Sequence, residues 1–318
     1  MPVLMLSEDD VRQLLTMDMA LEAVEAVLRK QALEEATNIP RTRCQTDHAM
    51  LHVLSASAKT LGVMGYKAYG TGRKGANFHV GLFDGKMGDL KALIQADYLG
   101  QVRTGAASGV ATQYMARHDA VEVGLFGAGK QARTQLIAVC RVRRINRVQV
   151  YSPNEERRRR FCAELEKEVG CEVQPVPRPE LAGQDKDIVI TASSSREPVL
   201  FGEWLSEGTH LNVVGSNFFS KAEVDVVAVR RCEVIVVDSK DQARIEAGDF
   251  AQALEDGSIH WSDVHELSQV IVGRYPGRAH AQDVTMFKSL GIGLEDVAVA
   301  SCVYDKAIAQ GVGKTLDW

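Results

Sequence analysis

No run in this 318-residue chain is apolar for long enough to cross a bilayer as a helix. Met1-Pro2-Val3-Leu4-Met5-Leu6-Ser7-Glu8-Asp9-Asp10 has no basic region before its apolar residues and turns acidic at once, unlike a secretory leader. Cysteine is sparse and scattered: Cys44, Cys140, Cys162, Cys171, Cys232 and Cys302 form neither a C-x-x-C pair nor a cluster with histidine. That spacing excludes a zinc knot and a disulfide framework, so no metal is expected and a reduced, cytoplasmic protein is. A basic excess is also missing. Lys and Arg number 37 against 42 Asp and Glu, a net charge of −5, which argues against nucleic acid or an anionic membrane as partner. Internal repeats and low-complexity tracts are absent too. What is present, 45% hydrophobic and 25% charged residues, is the composition of a soluble enzyme with enough chain for about two domains.

The first third reads as helix, then sheet. Residues 7–35 carry apolar positions at helical spacing, with Ser7 as a cap and a division near Thr16–Asp18. Strands are expected at 39–43, 52–56, 61–69, 78–83 and 90–96, with a turn at 84–89, giving a mostly antiparallel sheet. Lys67 falls mid-strand among apolar residues, where pattern alone suggests an edge or snorkelling lysine. A helix runs from Asp97 to Arg117. In it Arg103 is flanked by small residues that leave room against the guanidinium, although a solvated arginine would look the same.

From Asp119 strands and helices alternate. Val121–Phe126 reads as a buried strand, Gly127-Ala128-Gly129-Lys130-Gln131-Ala132 as a G-x-G-x-x-A turn, and the following residues as a helix. Gly127 allows the tight turn, Gly129 lets a pyrophosphate approach the backbone, and Ala132 lets the helix pack on the strand. The first-turn N–H groups then face the phosphates. Further strands are expected at 147–152, 171–175, 187–192, 211–215 and 234–238, and the sheet is expected to end near Asp238. This is the pattern of an α/β, Rossmann-type doubly wound parallel sheet. Residues 283–293 read as a strand or bend and 294–310 as a last amphipathic helix. Ligands of such a sheet gather at strand C-terminal ends. The expected dinucleotide contacts are therefore Gly127, Ala128, Gly129, Lys130, Gln131, Ser152, Asn154, Arg157, Thr191, Ala192, Ser193, Gly215 and Ser216.

The end of the second strand bears on cofactor choice. An acid there would bind the adenosine ribose of NAD. Tyr151-Ser152-Pro153-Asn154 holds none, while Ser152 and Asn154 offer donors and Arg157 a positive charge. This favours NADP, with NAD the alternative. The run Arg157–Arg160 otherwise reads as a solvated helix face.

Several ordered motifs together carry a resemblance. They are Arg41 after a proline, Gly65-Tyr66-Lys67, Arg103-Thr104-Gly105-Ala106-Ala107, the glycine turn, Asn212-Val213-Val214-Gly215-Ser216-Asn217, Glu223-Val224-Asp225, and Thr285-Met286-Phe287-Lys288-Ser289-Leu290-Gly291 with Glu295-Asp296. Over nearly its whole length the chain resembles the ornithine cyclodeaminase/mu-crystallin family. The resemblance implies an α+β substrate and dimerisation domain, 1–117 with 292–318, and a dinucleotide-binding domain, 118–291. It implies a homodimer built by pairing the sheet of the first domain, and a small amino or imino acid as substrate. By position, Arg41, Lys67 and Arg103 match the family's substrate-binding cations, with Arg43 a nearby competitor for the place of Arg41. Converging cations suit a carboxylate, arginine as a bidentate fork and lysine as a compact charge with a tunable pKa. The nicotinamide is expected near Thr104 and Ser289, Leu290 and Gly291. Cyclodeaminases of the family carry a catalytic acid where this chain has Asn217, and an amide is no general base near neutral pH. The leading expectation is NAD(P)H-dependent reduction of a small imino acid, or the reverse dehydrogenation, with Lys67, Arg103 and Asn217 as catalytic residues. Ornithine cyclodeamination with recycled NAD, and a non-catalytic small-ligand-binding protein, are the alternatives.

Overall fold

A computed structural model describes residues 2–73 and 75–317. It divides into two compact units, Met1–Thr104 with Gly291–Trp318 and Gly105–Leu290.

Unit 1 begins with strand β1 (Pro2–Leu6) and helices α1 (Glu8–Leu14) and α2 (Met17–Ala32). Each helix has its own cap. The Ser7 hydroxyl accepts from the Asp10 amide at 3.3 Å while the Asp10 carboxylate accepts from the Ser7 amide at 2.8 Å; the Thr16 hydroxyl accepts from the Met19 amide at 3.3 Å. Five strands follow: β2 (Ala36–Gln45), β3 (Met50–Ala58), β4 (Val63–Gly72), β5 (Gly75–Asp84) and β6 (Leu90–Gln95). They form an antiparallel meander with β6 joined to β1, and β1 to the terminal strand Lys314–Asp317. Neither flanking strand is evident in the sequence, and the β1–β6 pairing is parallel.

The helix Gly293–Gln310 packs against α2 and strands β2–β5. Every residue from Gly293 to Ser301 is buried, including Glu295 and Asp296. Small residues such as Ala298 and Ala300 allow this close packing on the sheet; the two acids are tolerable there only if paired.

Unit 2 starts inside helix α3 (Asp97–Met115). The border between Thr104 and Gly105 lies ahead of the expected 117/118 because the second part of α3 is tied to the rest of unit 2. Arg143 donates to the carbonyls of Thr112, Gln113 and Ala116 at 2.9–3.0 Å, and the Asn212 amide donates to the Thr112 hydroxyl at 2.9 Å.

The unit 2 sheet holds β7 (Glu122–Phe126), β8 (Arg147–Tyr151), β9 (Glu172–Pro175), β10 (Ile188–Thr191), β11 (His210–Val213), β12 (Val234–Val237), β13 (Val264–Glu266) and β14 (Thr285–Lys288). Helix α4 (Lys130–Val142) joins β7 to β8, and α5 (Glu155–Val169) joins β8 to β9. The order is β13-β12-β14-β11-β10-β7-β8-β9, and every pair is parallel. Strands β10, β11, β12 and β14 are buried at every position; β12 reads as an unbroken apolar run and β10 nearly so, while β11 and β14 bury polar residues as well. The chain reverses its progress across the sheet between β7 and β10, the switch point where such sheets bind ligands.

The expected end of the sheet near Asp238 is corrected here. Strand β14 inserts between β11 and β12, and β13 extends the edge. The strand alternative for 283–293 is the one the structure adopts at β14; Lys288 leaves the bend open in the sequence, since a charge rarely ends a fully buried strand. It is wholly buried, with its ammonium 2.8 Å from the Asp249 carboxylate.

Candidate active site

Two groupings, one in each unit, hold most of the expected functional residues. The first is a buried charge cluster in unit 1. Lys67 sits in the middle of β4, paired with Leu54 of β3 and Val80 of β5, so it is on neither edge of the sheet. It is 4% exposed, which excludes the snorkelling reading as well. Its Nζ donates to Asp296 Oδ1 at 2.8 Å. Arg103 is not solvated either. Its Nε donates to the same Asp296 oxygen at 2.9 Å and its Nη1 to Glu295 at 2.8 Å. Arg41 is buried and donates to the Gly291 carbonyl at 2.8 Å. Arg43 goes elsewhere: its Nε meets His52 Nδ1 at 3.2 Å, and the His52 ring stacks on Tyr69 with centroids 4.2 Å apart. Burial first, then Arg43 and Arg41, lower the pKa of His52 to about 4, so that imidazole is neutral.

Electrostatics give the cluster its chemistry. Burial pushes the Lys67 ammonium down to about 8. Asp296 opposes that shift by charge and hydrogen bond, and the charges of Arg103 and Arg41 reinforce it. Burial alone would lower Arg103 too, but Asp296 and Glu295 outweigh it and raise its pKa, so Arg103 stays charged. A lysine poised near neutral beside a permanently charged arginine can exchange a proton while the arginine holds an anion. Lys67 has three N–H donors, and Arg103 five in a planar fork, so both can bind a ligand while keeping their acids. Glu295 and Asp296 have no role assigned from sequence; the one signal there is two adjacent acids opening an apolar, small-residue helix.

The second grouping is a cavity of about 620 Å³ in unit 2. Its wall includes Gly127, Ala128, Gly129, Lys130, Gln131, Ser152, Arg157, Ala192, Ser193 and Gly215, all expected contacts. Gly127 has φ +123°, and a Cβ there would meet the Ala192 carbonyl oxygen at 2.4 Å, so the turn requires glycine. Among the described lining residues none is acidic, while Lys130 and Arg157 are cationic. Arg157 donates from Nε to the Ala128 carbonyl at 2.9 Å, which lays its guanidinium along the glycine turn. An open turn, a helix N-terminus and two cations fit a dinucleotide pyrophosphate.

The remaining expected contacts lie off this wall. The Asn154 side chain caps α5 by accepting from the Arg157 amide at 2.8 Å. Thr191 is fully buried, its hydroxyl donating to Glu223 at 2.9 Å. Ser216 is buried and its hydroxyl accepts from the Phe218 amide at 3.2 Å, which shapes the loop carrying the half-buried Asn217. Ser289 and Leu290 are buried, with the Leu290 amide on Asp238 at 2.7 Å. In unit 1, the Thr104 hydroxyl donates to the Gly100 carbonyl at 2.7 Å. The arginine run is not a uniform solvated face. Arg158 is buried, donating to the Ser152 carbonyl with its guanidinium 5.7 Å from the Tyr151 ring centre; Arg159 pairs with Glu155 at 2.7 Å.

The ornithine cyclodeaminase/mu-crystallin family model matches residues 1–311. The chain belongs to that family. This family member is 34% identical to the Thermococcus litoralis Δ1-pyrroline-2-carboxylate reductase, whose structure is in complex with NADH and L-proline. The TM-score is 0.95, with 99% of this chain and 100% of the other covered. An archaeal alanine dehydrogenase dimer with bound NAD gives TM-score 0.94 at 32% identity, all of both chains being covered. The iminosuccinate reductase of Paracoccus denitrificans, in complex with NAD+, gives TM-score 0.94 at 30% identity over all of both chains.

Proposed function

We propose that this family member uses NAD(P)H to reduce a small imino acid to the amino acid, or runs the reverse oxidation. The observation that carries the reading is the buried Lys67–Asp296–Arg103–Glu295 cluster with Arg41 among its charges. Relatives over the full length are reductases of cyclic or linear imino acids and an amino-acid dehydrogenase. The turn Gly127–Gln131 with Arg157 would hold the dinucleotide, whose chemistry is hydride supply. Arg41 and Arg103 hold the substrate carboxylate. Lys67 holds a proton at Nζ for the imine nitrogen, so that hydride at carbon and proton at nitrogen complete the C–N single bond. Its lowered pKa makes that proton transferable near neutral pH. Asp296 keeps Lys67 charged and aimed. The work of these residues is positioning and charge complementarity in a water-poor site.

A spectrophotometric screen tests this. NADPH or NADH is mixed with pyrroline-2-carboxylate, piperideine-2-carboxylate, or pyruvate plus amines. Loss of reduced-nicotinamide absorbance is expected with at least one of them, and faster with NADPH. Ser152 and Arg157 line the cavity and, among the described residues, no acid does, an arrangement that suits a 2′-phosphate. A clear preference for NADH would remove that assignment. No oxidation with any substrate would favour ligand binding without turnover. Ornithine converted to proline and ammonia without net NADH change would favour cyclodeamination, against which Asn217 stands.

We also propose a homodimer. One face of the unit 1 sheet carries an apolar groove of about 390 Å³ lined by Ile39, Met64, Tyr66 and Phe83 among others. Ile39 is 47% and Met64 37% exposed there, an apolar face that a second copy would cover. Light scattering on the eluting protein should give twice the chain mass; a monomer at micromolar concentration would count against this face as an interface.

A further inference from the structure

Behind the dinucleotide cavity of unit 2 lies a ring of buried charged groups that hydride transfer does not use. Glu223 is fully buried. One carboxylate oxygen accepts from the Ser193 amide at 2.7 Å; the other accepts from the Thr191 hydroxyl at 2.9 Å and the Gly215 amide at 2.5 Å. Glu223 therefore joins the loop after β10 to the loop after β11, and both loops line the cavity. The approach is close enough that a Cβ on Gly215 would lie 2.3 Å from a Glu223 oxygen.

The Glu223 backbone is held in turn. Its amide donates to Asp249 Oδ1 at 2.6 Å, and the Val224 amide follows at 3.3 Å. The other Asp249 oxygen lies 2.8 Å from the Lys288 ammonium, and Lys288 donates to the Ser216 carbonyl at 2.8 Å. Since Ser216 follows Gly215, the circuit closes: Gly215, Glu223, Asp249, Lys288, Ser216. Two peptide groups of the loop after β11 are thus gripped by buried charges, the Gly215 N–H by Glu223 and the Ser216 C=O by Lys288. Groups buried this deeply cost stability unless paired, and a polar circuit closed by hydrogen bonds and an ion pair makes a stiff arrangement. Loops after strands are ordinarily the mobile parts of such a sheet.

We propose that Glu223, braced by Asp249 and Lys288, is a positioning residue for dinucleotide binding: it fixes the wall formed by Ala192–Ser195 and Val214–Gly215 in its binding shape before the cofactor arrives. The inference rests on the dinucleotide reading of this cavity. Three donors converge on the Glu223 carboxylate. A glutamine of the same shape turns one acceptor into an N–H group facing other N–H or O–H groups, and one loop must move away.

Titration of the full-length protein with NADPH and NADH, followed by nicotinamide fluorescence, tests this with Glu223→Gln and Thr191→Val. The Thr191 hydroxyl is buried on Glu223, away from the cavity, so Thr191→Val loosens the ring without touching a ligand. Glu223→Gln is expected to raise the Kd of the tighter dinucleotide at least about tenfold, and Thr191→Val about threefold. In turnover assays KM for the dinucleotide should rise by the same factors, while kcat at saturation stays within about twofold. A purely structural role would lower the melting temperature and leave Kd in place. Wild-type Kd in both folded variants overturns the inference and leaves the dinucleotide reading intact. If Glu223→Gln does not fold, an unchanged Kd in Thr191→Val overturns it alone. Failure of the wild-type protein to bind either dinucleotide overturns the reading and the inference together.

Discussion

Arg103→Ala is expected to abolish turnover and to weaken the fold in the same step. Arg103 is 5% exposed and donates to two carboxylates that are themselves fully buried. Removing it leaves Glu295 and Asp296 with one cation fewer, and breaking such a buried pair costs about 3–5 kcal/mol. Under the proposed role, losing a desolvated, charge-assisted partner of the substrate carboxylate costs about 2–5 kcal/mol more in the transition state, or roughly 30- to 5,000-fold in kcat/KM. Urea unfolding and initial rates on the folded fraction measure the two losses separately. Adding Glu295→Gln to Arg103→Ala should restore part of the stability, because one orphaned charge is gone, and none of the activity. Arg103→Lys should fail as well, since an ammonium cannot span Glu295 and Asp296 as the guanidinium fork does. Wild-type rates in Arg103→Ala would end the assignment of this arginine to the substrate.

The second large effect concerns pH. The Lys67 pKa is lowered to about 8, by burial first, so the ammonium form dominates below that pH and is lost above it. Imine reduction needs the proton, so kcat/KM should fall about tenfold per pH unit on the alkaline side. Amine oxidation needs the unprotonated lysine and should rise through the same pH. Asp296 is the group that holds the value up, by charge and by hydrogen bond, against burial, Arg103 and Arg41. Asp296→Asn removes the charge and weakens the hydrogen bond, so the alkaline limb of the reduction profile should move to lower pH. A neutral-pH rate loss should accompany it, and activity should recover on acidification. A limb that stays near 8 in Asp296→Asn would show that Lys67 is not the titrating group. Lys67→Ala should lose the limb altogether along with most of the rate.

What the sequence reveals follows the range of the physics. The glycine turn is legible because its causes lie within a few residues: a φ only glycine adopts, and a following helix start. The split between α1 and α2 is legible for the same reason, since each cap bonds three residues away. Lys67 and Arg103 are not legible from pattern. A lysine mid-strand looks like an edge residue until its counter-ion is known, and Asp296 is 229 positions away in the chain. The family resemblance includes Glu295 and Asp296 among its motifs but gives no role to them, the acids that make the burial of the cations possible. Strand β14 is legible only as a strand or bend, because Lys288 breaks the apolar run and its partner Asp249 belongs to another segment, and its place inside the sheet is not legible at all. The arginine run misleads in the opposite sense: adjacency suggests one solvated face, whereas helical geometry sends Arg158 inward and Arg157 to the turn.

The helix Gly293–Gln310 belongs to unit 1, yet it is made after all of unit 2. On the ribosome, Lys67 and Arg103 therefore exist without their carboxylates until synthesis has passed residue 296. Gly105–Leu290 has its complete sheet before that point, and domains of growing chains fold as units, the earlier-completed first. Unit 1 is thus begun before unit 2 and finished after it, and the charge cluster closes only once the helix Gly293–Gln310 has emerged.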